Sequence, residues 1–331
     1  MTRCFTALVL SALVSAALGC EKEVELPDAI AGRGHIEIIE RGADDGETGW
    51  WPSIVFGPDD TPHLAYCDAH RGDLRYAYRT KNGWQLEVVE KEGAVGKYLA
   101  LALDSQGRPG IAFYDQSKKY LRYAWRSETG WKTERIAWGR EIGMASELHF
   151  DRSDRAHLFY YVPSGRLVYN QREAEGDWQA ETFAEVLGGF SARISVVPRS
   201  EGYWVSFVDW GFKDTALMLA EPRPDGGHRF ETVTDRYGPG WRSVLAFEKE
   251  QPILVYSQSL KERIKIAKRV NDEWKSEVLL RRAANFAGTQ TANGDLVIAY
   301  EDIFWSNAGN GTVKYLRRGT DGWKKVIVDD E

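Results

Sequence analysis

The chain has 331 residues, 43% of them hydrophobic, and a formal charge of -6 spread over 43 Lys and Arg and 49 Asp and Glu. Such a balance leaves no basic stripe to attract nucleic acid. Beyond the N-terminus no run approaches the roughly 20 apolar residues of a membrane-spanning helix. Length alone predicts two domains, but internal repetition overrides that expectation.

Residues 1–20 read as an export signal. Arg3 supplies the positive start and Phe5 to Ala17 a short apolar stretch. The segment ends in Ala17-Leu18-Gly19-Cys20, which resembles the lipobox of bacterial lipoproteins, in which the cysteine becomes the lipid-modified first residue. The usual leucine of that motif is Ala17 here, and ordinary signal-peptidase cleavage after Gly19 is the alternative. The resemblance implies lipidation at Cys20 and, with Glu21 following, delivery to the outer membrane. Cys4 lies in the signal and Cys67 stands alone, so no disulfide framework is expected. Residues 21–33 read as a tether, and 34–331 as a single folded region.

Within that region an aromatic recurs as Tyr66, Phe113, Tyr160, Phe207, Tyr256 and Tyr300, with spacings of 47, 47, 47, 49 and 44. A second column holds Trp84, Trp131, Trp178, Trp274 and Trp323, with His228 in the fourth repeat's place. A period of this size with several short strands per unit predicts an all-β, six-bladed β-propeller of four-stranded antiparallel blades. The blades fall at about 48–92, 93–139, 140–185, 186–235, 236–281 and 282–331. In the second, strand A is Leu99 to Leu103, strand B Gly110 to Tyr114, strand C Leu121 to Arg126, and strand D runs from Trp131 to near Ile136. Small residues in strand A suit the crowded axis of a ring. The aromatics of B and C are expected to pack between blades.

Arg79, Arg126, Arg172, Arg269 and Arg318 close strand C, and Glu87, Glu134, Glu181, Glu231 and Glu277 begin strand D. They are expected to pair across the C–D hairpin of one blade. The segment Ile36-Glu37-Ile38-Ile39-Glu40 aligns with Leu86-Glu87-Val88-Val89-Glu90 and so reads as a seventh D-like strand. It either adds outside the last blade or replaces the C-terminal strand there.

The string LALDSQGRPGIAFYDQSKKYLRYAWRSETGWKTE (101–134) resembles repeats of bacterial propeller proteins related to the sialidase-like superfamily. Its shape is also similar to that of propeller lectins that bind fucose and similar sugars between blades. Asp104-Ser105-Gln106-Gly107-Arg108-Pro109 lacks the order and tryptophan of a sialidase Asp-box, and no arginine triad is assignable. The resemblance implies architecture more than activity.

Candidate binding residues are read at loops expected to share one face. Trp51, Tyr98 and Trp241 are placed in D–A loops and Trp210 and Trp305 in irregular B–C loops, with Asp115, Asp209 and Asp302 at the ends of strand B. An aromatic plate beside a carboxylate is what a sugar site needs. Against that, Asp at a strand end commonly bonds its own turn. Glu147, His149, Arg193 and Gln290 interrupt the inner strands and are expected to line a polar channel or to pair around water. No second His or Cys stands at metal-ligand spacing from His149, and no phosphate loop, dinucleotide fingerprint or nucleophile elbow occurs. The expectation is therefore a monomeric, lipid-anchored envelope protein without cofactor or catalytic residues, presenting a propeller face to a protein or glycan. A carbohydrate-binding lectin is the second reading, and a sialidase-like glycan hydrolase the third.

Overall fold

The computed structural model describes residues 30–31, 39–40, 48–172, 177–186, 193–210, 215–234, 239–258, 263–291, 293–302, 312–319 and 322–329. Residues 1–20, with Cys20, lie outside the described residues, as does Trp305. Among the described residues no helix is long and apolar enough to cross a membrane. The molecule is a six-bladed β-propeller of four-stranded antiparallel blades.

β1 (Ile30–Ala31) precedes the first blade. Blade 1 comprises β2 (Thr48–Phe56), β3 (Pro62–Asp68), β4 (Asp73–Thr80) and β5 (Gly83–Glu90); blade 2 comprises β6 (Val95–Leu103), β7 (Pro109–Asp115), β8 (Tyr120–Ser127) and β9 (Gly130–Trp138). Blade 3 comprises β10 (Met144–Phe150), β11 (Ala156–Val162), β12 (Arg166–Arg172) and β13 (Trp178–Glu185). Blade 4 comprises β14 (Ser195–Arg199), β15 (Gly202–Trp210), β16 (Thr215–Pro222) and β17 (His228–Thr234). Blade 5 comprises β18 (Pro239–Glu248), β19 (Gln251–Gln258), β20 (Arg263–Val270) and β21 (Glu273–Arg281). Blade 6 comprises β22 (Ala283–Gln290), β23 (Leu296–Asp302), β24 (Thr312–Gly319) and β25 (Gly322–Asp329). The chain divides into two compact units, His35–Leu245 with blades 1 to 4, and Met1–Gly34 with Ala246–Glu331, the boundary falling within β18.

In the second unit the C-terminal strand keeps its place: β1 adds outside β25 in parallel, Ile30 opposite Val326 and Ala31 opposite Ile327. Residues 36–38 of the expected D-like strand lie outside the described residues, and Ile39 and Glu40 are not in a strand. The sequence equivalence of Glu40 with Glu90 nevertheless has physical content. Glu40 accepts a 2.5 Å hydrogen bond from the Tyr66 hydroxyl and faces Arg75 at 3.6 Å, while Glu90 pairs with Arg122 of the next blade at 2.8 Å.

The core of the first unit is a series of layers between blades. Ala65, Leu74 and Tyr76 of blade 1 pack with Leu101, Ile111 and Phe113 of blade 2. Leu121 and Tyr123 pack in the same way with Leu158 and Tyr160 of blade 3. All six members of the recurrent aromatic column are buried, as their spacing implies.

β6 lies beside both β2 and β10, and all three begin with the same bulge. In β2, Trp50 opposes Cys67 and Ser53 opposes Ala65, so Trp51 and Pro52 share Tyr66. In β6, Tyr98 and Leu99 share Phe113; in β10, Ala145 and Ser146 share Tyr160. Each bulge starts at a glycine with positive φ, Gly49 (86°), Gly96 (97°) and Gly143 (86°), and two residues later the chain turns left-handed again at Trp51 (56°), Tyr98 (54°) and Ala145 (53°). Two-against-one pairing bends a strand and re-aims a side chain. Positive φ at a bulky residue is rare and strained, so its recurrence marks a built feature of the blade. Trp51 and Tyr98 thus lie in strands, not in the expected D–A loops, because the inner strands extend through the bulge; Trp241 likewise lies within a strand, β18.

Gly49→Ala and Gly143→Ala separate strain from crowding. A methyl at Gly49 meets nothing within 4 Å, whereas one at Gly143 lies 2.6 Å from Leu121 Cδ1. In urea melts the first is expected to cost about 1 kcal/mol through the backbone alone. The second, which adds overpacking, should cost about 2–4 kcal/mol. Equal losses would show that Leu121 yields freely.

Candidate functional site

A cleft of about 840 Å³ opens between blades 2 and 3, lined among others by Tyr123, Trp125, Arg126, Glu134, Asp154 and Arg172. Its floor follows from the register of the blades. Tyr123 and Trp125 alternate along β8 and so share a face, their rings stacked at 5.7 Å and 15°. The Arg172 guanidinium lies over the Trp125 ring at 5.0 Å. Glu134 Oε1 accepts from Arg172 Nε at 2.6 Å and from Trp178 Nε1 at 2.8 Å. The Trp178 ring in turn meets Tyr123 edge-on at 5.3 Å.

The constellation repeats one blade earlier. Glu87 accepts from Trp131 Nε1 at 2.8 Å and pairs with Arg126 at 2.8 Å, while Arg126 lies over Tyr78 and Trp131 meets Tyr76 edge-on. These contacts correct the expectation that the Arg and Glu columns pair across one hairpin. Within a blade, Arg126 stands opposite Trp131 and Glu87 opposite Tyr76, so the carboxylate and guanidinium are never cross-strand neighbours. At these two seams they meet instead across the gap between consecutive blades, Glu87 with Arg126 and Glu134 with Arg172. Sequence reasoning assigned these residues to packing and left them out of the candidate site. The signal that would have found them is the coincidence of three polar-capable columns, Trp, Arg and Glu, at one register.

Two more of the cleft carboxylates are already engaged. Asp104 accepts from the backbone amides of Gln106 and Arg108 at 2.9 and 2.8 Å and from Arg108 Nε at 2.6 Å. Asp154 accepts from the Ser105 amide and hydroxyl, both at 2.8 Å, which ties the A–B turn of blade 2 to blade 3.

The residues proposed from sequence are dispersed. Asp115 closes β7 fully buried, accepting from the Lys118 amide at 2.9 Å and from Arg122 at 3.2 Å, so its carboxylate braces a turn. Asp209 and Trp210 are the last residues of β15, both partly buried; Trp210 is therefore in a strand and not in the expected B–C loop. Asp302 closes β23 and Trp241 lies in β18. Two of the set do converge. Trp51, 37% exposed, meets Tyr98 edge-on at 5.1 Å, and both line a second cavity of about 190 Å³ with Pro52, Leu99, Met144, Ala145, Ser146 and Arg193. The Tyr98 hydroxyl donates to Glu141 at 2.5 Å, which fixes its ring.

Of the polar inner-strand residues, Gln290 bridges to the neighbouring inner strand, accepting from Phe247 N at 3.0 Å and donating to Phe247 O at 2.6 Å. Glu147 occupies the position that in blade 1 is Ser53, whose hydroxyl accepts the Leu101 amide at 3.1 Å. Burial pushes the Glu147 carboxyl up to about 7 against the opposing pull of Arg193. His149, two residues on, is held down to about 4 by burial and by His157. Among the described residues no group of three or more His, Cys, Asp or Glu side chains is placed to hold a metal ion.

Glu147 has a consequence for stability. Its folded-state pKa lies above the ordinary carboxyl value, so the neutral form favours folding below the unfolded pKa, and that contribution is lost as pH rises towards and through about 7. Glu147→Gln should therefore flatten the decline in melting temperature between pH 5 and 8 and leave the variant the more stable protein at pH 8. Parallel pH profiles for the two proteins would place Glu147 in water.

No protein-family profile and no curated protein matches the chain. Solved structures do. A lectin of Aleuria aurantia in complex with Fucα1-6GlcNAc is 12% identical with a TM-score of 0.55, covering 85% of this chain and 95% of that one. A protein of unknown function from Dyadobacter fermentans is 10% identical with a TM-score of 0.56, covering 86% and 95%. The NanB sialidase of Streptococcus pneumoniae is 9% identical with a TM-score of 0.54, covering 82% and 68%. At these identities the likeness is one of fold: the chain is a six-bladed β-propeller of the style shared by propeller lectins and a sialidase.

Proposed function

We propose that the protein binds carbohydrate without cleaving it, through the cleft between blades 2 and 3, from a lipid anchor at the cell envelope. The observation that carries this reading is the set of Trp125, Arg172 and Glu134 lining a cleft of about 840 Å³, with Trp178 donating to Glu134. A sugar offers a C–H face and neighbouring hydroxyls. Trp125, only partly buried and carrying the Arg172 guanidinium over its ring, provides apolar surface for the first, and Arg172 and Glu134 provide polar partners for the second. Recurrence of the constellation at Glu87, Arg126 and Trp131 fits a ring that repeats a binding element. The lectin among the solved neighbours, in complex with a fucosylated disaccharide, supports the same reading.

Binding is favoured over hydrolysis by what three carboxylates of the cleft already hold. Glycoside cleavage with two carboxyl groups needs one that holds a proton for the leaving oxygen. Glu134, Asp104 and Asp154 all accept N–H donors of this chain, so each is tied into the seam or a turn rather than left open to a leaving group. The anchor rests on Ala17-Leu18-Gly19-Cys20 alone.

A glycan array with the purified protein should give a limited set of hits, recovered intact after long incubation. Trp125→Ala is expected to weaken the best hit about tenfold, near 1.4 kcal/mol. No hit, cleaved glycan, or undiminished affinity in the variant would each overturn the reading. For the anchor, Cys20→Ser should move the protein from the membrane to the soluble fraction or block its processing. A variant that stays membrane-bound and is processed normally would exclude lipidation.

A further inference from the structure

The cavity at the bulged ends of blades 1 to 3 is separate from the cleft, and the internal repeat explains why it exists. Trp51, Tyr98 and Ala145 occupy one repeat position, each left-handed, each two residues after a positive-φ glycine, and each lining this cavity. Blades 1 and 2 fill their share of the space with aromatic rings set edge to face. Blade 3 fills it with a methyl group. The space is therefore short of one ring beside two aromatic walls, with Leu99 and Met144 completing an apolar lining.

One cation borders it. Arg193 is exposed and has no hydrogen bond or ion pair with another described residue. Glu147 feels its charge but lies beyond ion-pair distance, and its raised pKa leaves it only partly ionised at neutral pH. Arg242, held below its ordinary value first by burial and then by the charge of Arg193, adds a second guanidinium to the neighbourhood. Glu141, the nearby acid, is taken by the Tyr98 hydroxyl. Positive field therefore remains where the apolar lining ends.

We propose that this cavity binds a small aromatic carboxylate, its single ring occupying the space left by Ala145 and its anion meeting Arg193. Size fits the assignment: an apolar cavity of about 150 Å³ takes benzene, and this one measures about 190 Å³. Chemistry fits as well, since aromatic pairs prefer the edge-to-face geometry that Trp51 and Tyr98 leave open to a third ring, and a guanidinium matches a carboxylate in bidentate fashion.

Calorimetric titration of the intact protein with phenylacetate, phenylacetamide and acetate tests this directly. Phenylacetate is expected to bind at least tenfold more tightly than the other two, reporting the anion and the ring in turn. Arg193→Gln should erase the preference for the acid over the amide. Ala145→Trp, which copies blade 1 at a matching φ, should fill the space and abolish binding with the melting temperature maintained. Should that variant fail to fold, the exposed Arg193 variant still decides. Absence of saturable phenylacetate binding, equal affinity for acid and amide, or undiminished binding after Ala145→Trp would each overturn the proposal.

Discussion

A carboxylate on the outer strand of one blade, gripped by an indole N–H and a guanidinium from the next, is the contact on which the first three blades depend. Glu87 and Glu134 fill this role in successive blades. Aromatic layers between blades provide most of the burial but are tolerant of sliding. A charged acceptor with two fixed donors is not, because moving it strands a partly buried charge. The same residues line the cleft, so under the proposed function recognition and assembly would draw on the same atoms. Substitutions that alter what the cleft accepts therefore act on the seam between blades as well.

The third seam shows what happens when one donor is lost. His228 stands where Trp178 stands one blade earlier, and its ring packs edge-on against Phe183 at 4.6 Å while Nε2 lies 3.1 Å from the Tyr203 carbonyl. Glu181 acts on it only through charge. Aromatic contact has replaced the indole bond, and the polar constellation of the earlier seams is gone. The ring is thus uneven in chemistry although its backbone repeats.

Blade number, strand count and the buried aromatic column were readable from Tyr66 to Tyr300 because inter-blade packing repeats with the chain and leaves a strictly spaced record. The N-terminal acid was readable too: Glu40 takes the place of Glu90 in pairing although Glu40 itself is not in a strand. The site was harder. Pairing across a gap between blades leaves no local signature, so Arg126 and Glu134 looked like hairpin partners when they belong to different seams, Arg126 with Glu87 and Glu134 with Arg172. Trp51 and Tyr98 looked like loop residues because apolar alternation stops at the bulge. The glycines at 49, 96 and 143 carried the missing information, since only a left-handed turn needs them there. Asp115 is the opposite case, a strand-end carboxylate held by its own turn and by Arg122, where the turn reading of the sequence applies.

The bulge has a further consequence for how such a chain diversifies. A residue placed on a left-handed kink stands outside the strand's alternation, so its identity is uncoupled from the pleat that packs the blade. Duplication copies the kink, and each copy is then free to change independently: an indole in the first, a phenol in the second, a methyl in the third, all on superimposable backbones. One position per blade thus behaves as an interchangeable letter on a fixed frame, and a short combinatorial library over residues 51, 98 and 145 would sample new cavities without redesigning a single strand.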